Sequence, residues 1–144
     1  MLKSTGIIKV DQKNSRIVVD VSEDFIKLYA WFIRKQYWIS LQRPMHNAHI
    51  TIANEKFHSN INWRKAKQYH NKNIEFEYDP YLIRGGRTKG FLMFYLKVIS
   101  PEIEKIKEEL KIVETENYKG LHITVANGKS NGVRPYWPET IEIR

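Results

Sequence analysis

The chain predicts an α+β fold with helices packed outside antiparallel sheet. Three observations carry this: strand-like segments outnumber helical ones, the helical segments are amphipathic, and one strand phrase occurs twice. The phrase is His49-Ile50-Thr51-Ile52-Ala53-Asn54-Glu55-Lys56, then His122-Ile123-Thr124-Val125-Ala126-Asn127-Gly128-Lys129, with six identities in eight positions.

In order along the chain, residues 5–10 and 16–21 read as strands joined by the turn-rich Asp11-Gln12-Lys13-Asn14-Ser15. Ser22 then caps a helix with Glu23 and Asp24 in its first turn, where acids suit the helix dipole. Its Phe25, Leu28, Tyr29, Phe32 and Ile33 recur at helical spacing, so that stripe is expected in the core. The first repeat strand follows Pro44, and Asn62 starts a short basic helix through residue 68. Residues 74–83 and 91–99 read as a long hairpin around Arg84-Gly85-Gly86-Arg87-Thr88-Lys89-Gly90, whose basic side chains are placed to reach a ligand. That loop is no P-loop, because it lacks the Lys-[Ser/Thr] ending and leads into a strand. Ser100-Pro101-Glu102 opens a helix with Pro at its first position and Ile103, Ile106 and Leu110 on the buried face. The second repeat strand follows, then a turn-rich, basic and aromatic tail and a short final strand at residues 140–144.

A chain of 144 residues without linker or low-complexity run fits one domain, 1–144, that buries about two thirds of its unfolded surface. The absence of cysteine excludes disulfides and thiol nucleophiles and suits a reducing cytoplasm. From Lys3 to Asp20 charged and apolar residues alternate, with no signal-peptide core. Apolar runs such as Phe91-Leu92-Met93-Phe94-Tyr95-Leu96 fall far short of the roughly 20 residues of a membrane span. A cytoplasmic protein with no membrane partner is expected. The net charge of +8 favours a polyanionic ligand, and the 12% of aromatic residues supply stacking platforms besides core filling.

On a strand, residues two apart share a face, so the His and Thr of each phrase point together. Ile50, Ile52, Ile123 and Val125 point the other way, into the core, and hold the polar pairs rigidly. Two imidazoles that titrate near neutrality can accept one proton and donate another at the same pH, and two hydroxyls can donate to phosphate oxygens. His49, Thr51, His122 and Thr124 are therefore the candidate catalytic residues, with the acid and base roles unassigned between the histidines. Other templates fail: there is no His-x-His-x-His, and the Gly-x-Ser-x-Gly spacing at residues 128–132 leads into the turn-rich tail instead of a helix, so it is no nucleophile elbow. His46 precedes His49 by three but has no counterpart at Lys119, and no Cys or acidic cluster joins it, so no metal site is expected. His58 and His70 stand in polar, turn-like surroundings and are expected to be exposed.

Two His-x-Thr-hydrophobic motifs in a small chain resemble the 2H phosphoesterase superfamily, which includes RNA 2′,3′-cyclic phosphodiesterases and 2′-5′ RNA ligase-like enzymes. Residues 45–56, the segment Ile74-Glu75-Phe76-Glu77-Tyr78-Asp79-Pro80 and the second motif are similar to the bacteriophage anti-CBASS phosphodiesterases, which destroy cyclic oligonucleotide messengers of bacterial immunity. The resemblance implies two pseudo-symmetric lobes whose motif strands face each other across a central cleft. It also implies metal-independent, cofactor-free hydrolysis of a cyclic di- or trinucleotide, in the host cytoplasm if the chain is phage-encoded.

Substrate contacts are expected from Lys56 and Lys129, which end the two phrases at matching positions, and from Arg134, Tyr136, Trp137 and Glu142 in the tail. Two alternatives stay open. The same four residues would serve an RNA-end 2′,3′-cyclic phosphodiesterase, and a basic nucleotide- or RNA-binding module without catalysis would use them only to recognise phosphate.

Overall fold

Alternation of inward and outward residues builds a first hairpin from β1 (Leu2–Asp11) and β2 (Arg16–Asp20), in register from Ile7 opposite Asp20 to Asp11 opposite Arg16. The computed structural model describes residues 1–37, 41–42, 47–56, 58–59, 61–85, 91–114, 120–129 and 140–141. The hairpin turn is closed by the Asp11 carboxylate, which accepts from the Asn14 backbone N–H and its side-chain amide. Gly6 of β1 is a point of close approach: a Cβ there would lie 2.4 Å from Val19 Cγ1 and 2.6 Å from the Asp20 carbonyl oxygen.

Helix α1 (Asp24–Tyr37) starts where the Ser22 hydroxyl accepts from the Asp24 N–H at 3.2 Å. Its buried stripe is Ile26, Tyr29, Ala30 and Ile33, with Phe25 and Phe32 packed at the margin. Leu28, expected in that stripe, is instead 57% exposed. At about 100° per residue it stands roughly 200° round the axis from Ile26, on the solvent side.

The remaining elements are β3 (Leu41–Gln42), β4 (His49–Asn54), β5 (His58–Ser59), α2 (Trp63–Ala66) with a 3₁₀ turn (Lys67–Tyr69), β6 (Asn73–Tyr78), β7 (Leu82–Gly85), β8 (Phe91–Ile99), α3 (Pro101–Glu109), β9 (Val113–Glu114), β10 (His122–Lys129) and β11 (Thr140–Ile141). Asn62 caps α2 by accepting from the Lys65 N–H, and Ser100 caps α3 by accepting from the Ile103 N–H. The long hairpin expected over 74–83 and 91–99 is divided. Asp79 and Pro80 break the first arm, so β6 pairs with β1 and with the end of β8, while β7 alone makes the hairpin with β8. Proline has no N–H for a ladder, which is why the strand stops there. Arg84, expected in a loop, lies within β7 opposite Phe94; Arg87 and Lys89 lie outside the described residues.

The strands close into a six-stranded antiparallel barrel in the order β8-β6-β1-β2-β4-β10 and back to β8, with β7 and β11 extending from β8 and β3 from β10. Helix α1 packs on β10, and α3 packs on β6 and β4. The helices share one core with Ile8, Ile17, Val19, Phe76, Phe94 and Leu96 of the strands. Both helices therefore cover the apolar face of the strands. Among the described residues, no helix is long and apolar enough to cross a membrane.

Candidate active site

The two repeated strands are neighbours. β4 and β10 run antiparallel and pair at Ile50 opposite Ile123; a ladder carried one residue either way would set His49 opposite Thr124 and Thr51 opposite His122. Ile50, Ile52, Ile123 and Val125 are fully buried on the helix side, and the four polar side chains stand half-buried on the other side. Directly opposed Cβ atoms lie about 4.5–5.5 Å apart and diagonal ones about 7–8 Å. In that register the four side chains would form a quadrilateral with the imidazoles on one diagonal and the hydroxyls on the other.

Both histidines are held alike. His49 Nδ1 lies 2.6 Å from the Asn47 carbonyl oxygen, and His122 Nδ1 lies 2.8 Å from that of Gly120. A carbonyl only accepts, so each neutral ring carries its proton on Nδ1 and has its lone pair on Nε2. The segment ahead of each motif is clamped in the same way. The Val21 N–H donates to the Ala48 carbonyl at 3.1 Å, and the Val98 N–H donates to that of Leu121 at 3.0 Å. The Glu23 carboxylate adds a bond from the Ala48 N–H at 2.8 Å. Gly120 has φ +81°, in the left-handed region where glycine is favoured.

A further likeness lies just past each motif. Thr51 pairs with Val18 and Ala53 with Ile17, which leaves Ile52 as an extra residue; Thr124 pairs with Tyr95 and Ala126 with Phe94, which leaves Val125. These are β-bulges at matching positions of the two phrases, and a bulge bends a strand and re-aims its side chains. Ile52 and Ala53, like Val125 and Ala126, consequently both face the core.

The strands flanking the quadrilateral differ. Asp20 of β2 stands opposite His49, whereas Lys97 of β8 stands opposite His122. The Tyr95 ring meets the His122 ring edge-on, with centroids 5.4 Å apart, and the Thr124 hydroxyl rests 3.9 Å from Met93 Sδ. Beside His49 opens a polar cavity of about 490 Å³ whose walls include Lys9, Asp11, Arg16, Asp20 and His70. Arg16 is paired with Asp11 at 3.7 Å.

Of the expected substrate contacts, Lys56 is exposed in the turn after β4, its N–H donating to Asn54 Oδ1, and it does not line this cavity. Lys129 is the last residue of β10. Arg134, Tyr136, Trp137, Glu142 and His46 lie outside the described residues. His58 corrects an expectation of exposure, being 2% exposed, because β5 pairs with β9 and folds it under the end of β4. Its Nδ1 accepts from the Asn54 N–H at 3.1 Å; burial pushes its pKa below the ordinary imidazole value, and the nearby Lys107 ammonium adds to the lowering. His70 is exposed as expected, yet it faces the cavity beside His49.

Tyr95, Lys97, Asp20, Glu23 and His70 escape sequence reasoning. For Tyr95 and Lys97 a signal exists, since they alternate with the core residues Phe94 and Leu96 along β8, but it is hidden in an apolar run. Among the described residues, no group of three or more His, Asp or Glu is placed to hold a metal ion. No protein family, curated protein or solved structure matches the chain.

Proposed function

We propose that the chain is a metal-independent phosphodiesterase that hydrolyses cyclic di- or trinucleotide signals, as the phage anti-CBASS enzymes do. In this reading it has the build of a 2H phosphoesterase: two pseudo-symmetric lobes whose motif strands meet at a central cleft. The observation that carries it is the pairing of β4 with β10 at Ile50 and Ile123, which brings the two motifs side by side.

The chemistry follows from that arrangement. One histidine, neutral and with its lone pair on Nε2, takes the proton of the attacking oxygen as that oxygen bonds to phosphorus. The other, as imidazolium, gives a proton to the departing oxygen as its bond to phosphorus breaks. Charge accumulates on the non-bridging oxygens meanwhile, and the hydroxyls of Thr51 and Thr124 are positioned to donate to them. Reversing the direction of attack exchanges the two histidines. The net charge of +8 supports an anionic substrate.

The test is incubation with cyclic dinucleotides, cyclic trinucleotides and RNA ending in a 2′,3′-cyclic phosphate, with and without excess EDTA, followed by mass spectrometry of the products. Ring opening that survives EDTA is the expected result. Turnover of RNA ends alone assigns the RNA-end reading, and no turnover of any substrate assigns the non-catalytic binding module.

A further inference from the structure

The cavity beside His49 is built largely by the β1–β2 hairpin, which the reaction itself does not use. We propose that it seats the nucleotide adjoining the scissile phosphate, and that Lys9 and His70 hold that nucleotide's own, uncleaved phosphate. The inference rests on the phosphodiesterase reading and adds to it a requirement for a second phosphate.

Position supports it first. Val18 is opposite Thr51 and Lys9 is opposite Val18, so Lys9 stands two strand spacings, roughly 10 Å, from the catalytic strand on the same face. A cavity of about 490 Å³ lies within the range that takes a small organic ligand.

The donors are also set in advance. His70 Nδ1 accepts from the Val10 N–H at 3.0 Å, so its neutral ring carries the proton on Nε2, the opposite tautomer to the catalytic pair. His70 can therefore donate from Nε2 without first being protonated. The Lys9 ammonium donates to Asn71 Oδ1, and Asn71 is itself fixed in the left-handed region at φ +66° with its N–H on the Ile8 carbonyl. Arg16 approaches Asp11 through Nε at 3.7 Å, and its guanidinium also lines the cavity, where it adds positive charge beside Lys9 and His70. The carboxylates of Asp11 and Asp20 would repel a bare polyanion but accept from ribose hydroxyls and base amino groups. A wall of mixed donors and acceptors thus fits a nucleotide better than a free anion.

The experiment uses two substitutions outside the catalytic quadrilateral. His70→Asn retains an acceptor for the Val10 N–H and deletes the Nε2 donor; Lys9→Met retains the stem and deletes the charge. KM and kcat are measured on a cyclic dinucleotide, and Kd for the same ring is measured by calorimetry in a His122→Ala background. KM and Kd should rise about tenfold or more for Lys9→Met and about threefold to tenfold for His70→Asn, with kcat unchanged. Unchanged KM and Kd, or a fall in kcat alone, overturns the subsite while leaving the phosphodiesterase reading intact. Failure of the unaltered protein to open the ring overturns both.

Discussion

Replacing Gly120 by Ala tests how one of the two imidazoles proposed as catalytic is held. Gly120 sits at φ +81°, and a Cβ built on it meets nothing within 4 Å, so the substitution introduces backbone strain without a clash. An L-residue in the left-handed region costs about 1–2 kcal/mol. For a chain of 144 residues this lowers Tm by about 3–7 °C. The same residue's carbonyl accepts from His122 Nδ1, so the strained loop moves the group that fixes the ring's tautomer. Weakening that bond, worth about 1 kcal/mol, should slow turnover about fivefold at temperatures well below the melt. The assay pairs a thermal melt with turnover at saturating substrate. Gly120→Asn, a residue that tolerates the left-handed region, should recover most of both losses. Unchanged Tm and turnover in Gly120→Ala would refute the reasoning, as would Asn proving as damaging as Ala.

Two further outcomes concern stability. Gly6→Ala should destabilise by about 1–3 kcal/mol, since its Cβ would collide with Val19 and the Asp20 carbonyl, and a lowered urea midpoint would show it. The buried His58, whose pKa is lowered chiefly by burial, contributes stability that is fully present above the unfolded imidazole value of about 6.5. That contribution is lost as pH falls through the lower folded value. The urea midpoint should therefore drop between pH 7 and pH 5, and His58→Asn, which keeps an acceptor for the Asn54 N–H, should flatten the drop.

Local physics made much of this molecule legible. Alternation along the repeated phrase gives the inward face of Ile50, Ile52, Ile123 and Val125, and short polar side chains mark the caps at Asn62 and Ser100. What periodicity lacks is long-range register. Nothing in either phrase alone says that Ile50 meets Ile123, and that single pairing assembles the site. Matching bulges at Ile52 and Val125 are likewise invisible, because a bulge is defined against its partner strand. The single arm expected over residues 74–83 overlooks Pro80, whose place inside the segment marks the division into β6 and β7. His58 and His70 show the limit of reading surroundings: both lie in polar sequence, yet pairing with β9 buries one, and the Val10 N–H fixes the other at the cavity beside His49.

The central claim is that the two motifs act as one site, and a double-mutant cycle on the histidines measures it most directly. His49→Ala and His122→Ala should each reduce turnover of a cyclic dinucleotide by roughly 10²-fold or more. The double variant should lose less than the product of the two, because removing either proton-transfer group already disables the pair. Near-normal turnover in either single variant would contradict the account, as would losses that simply multiply.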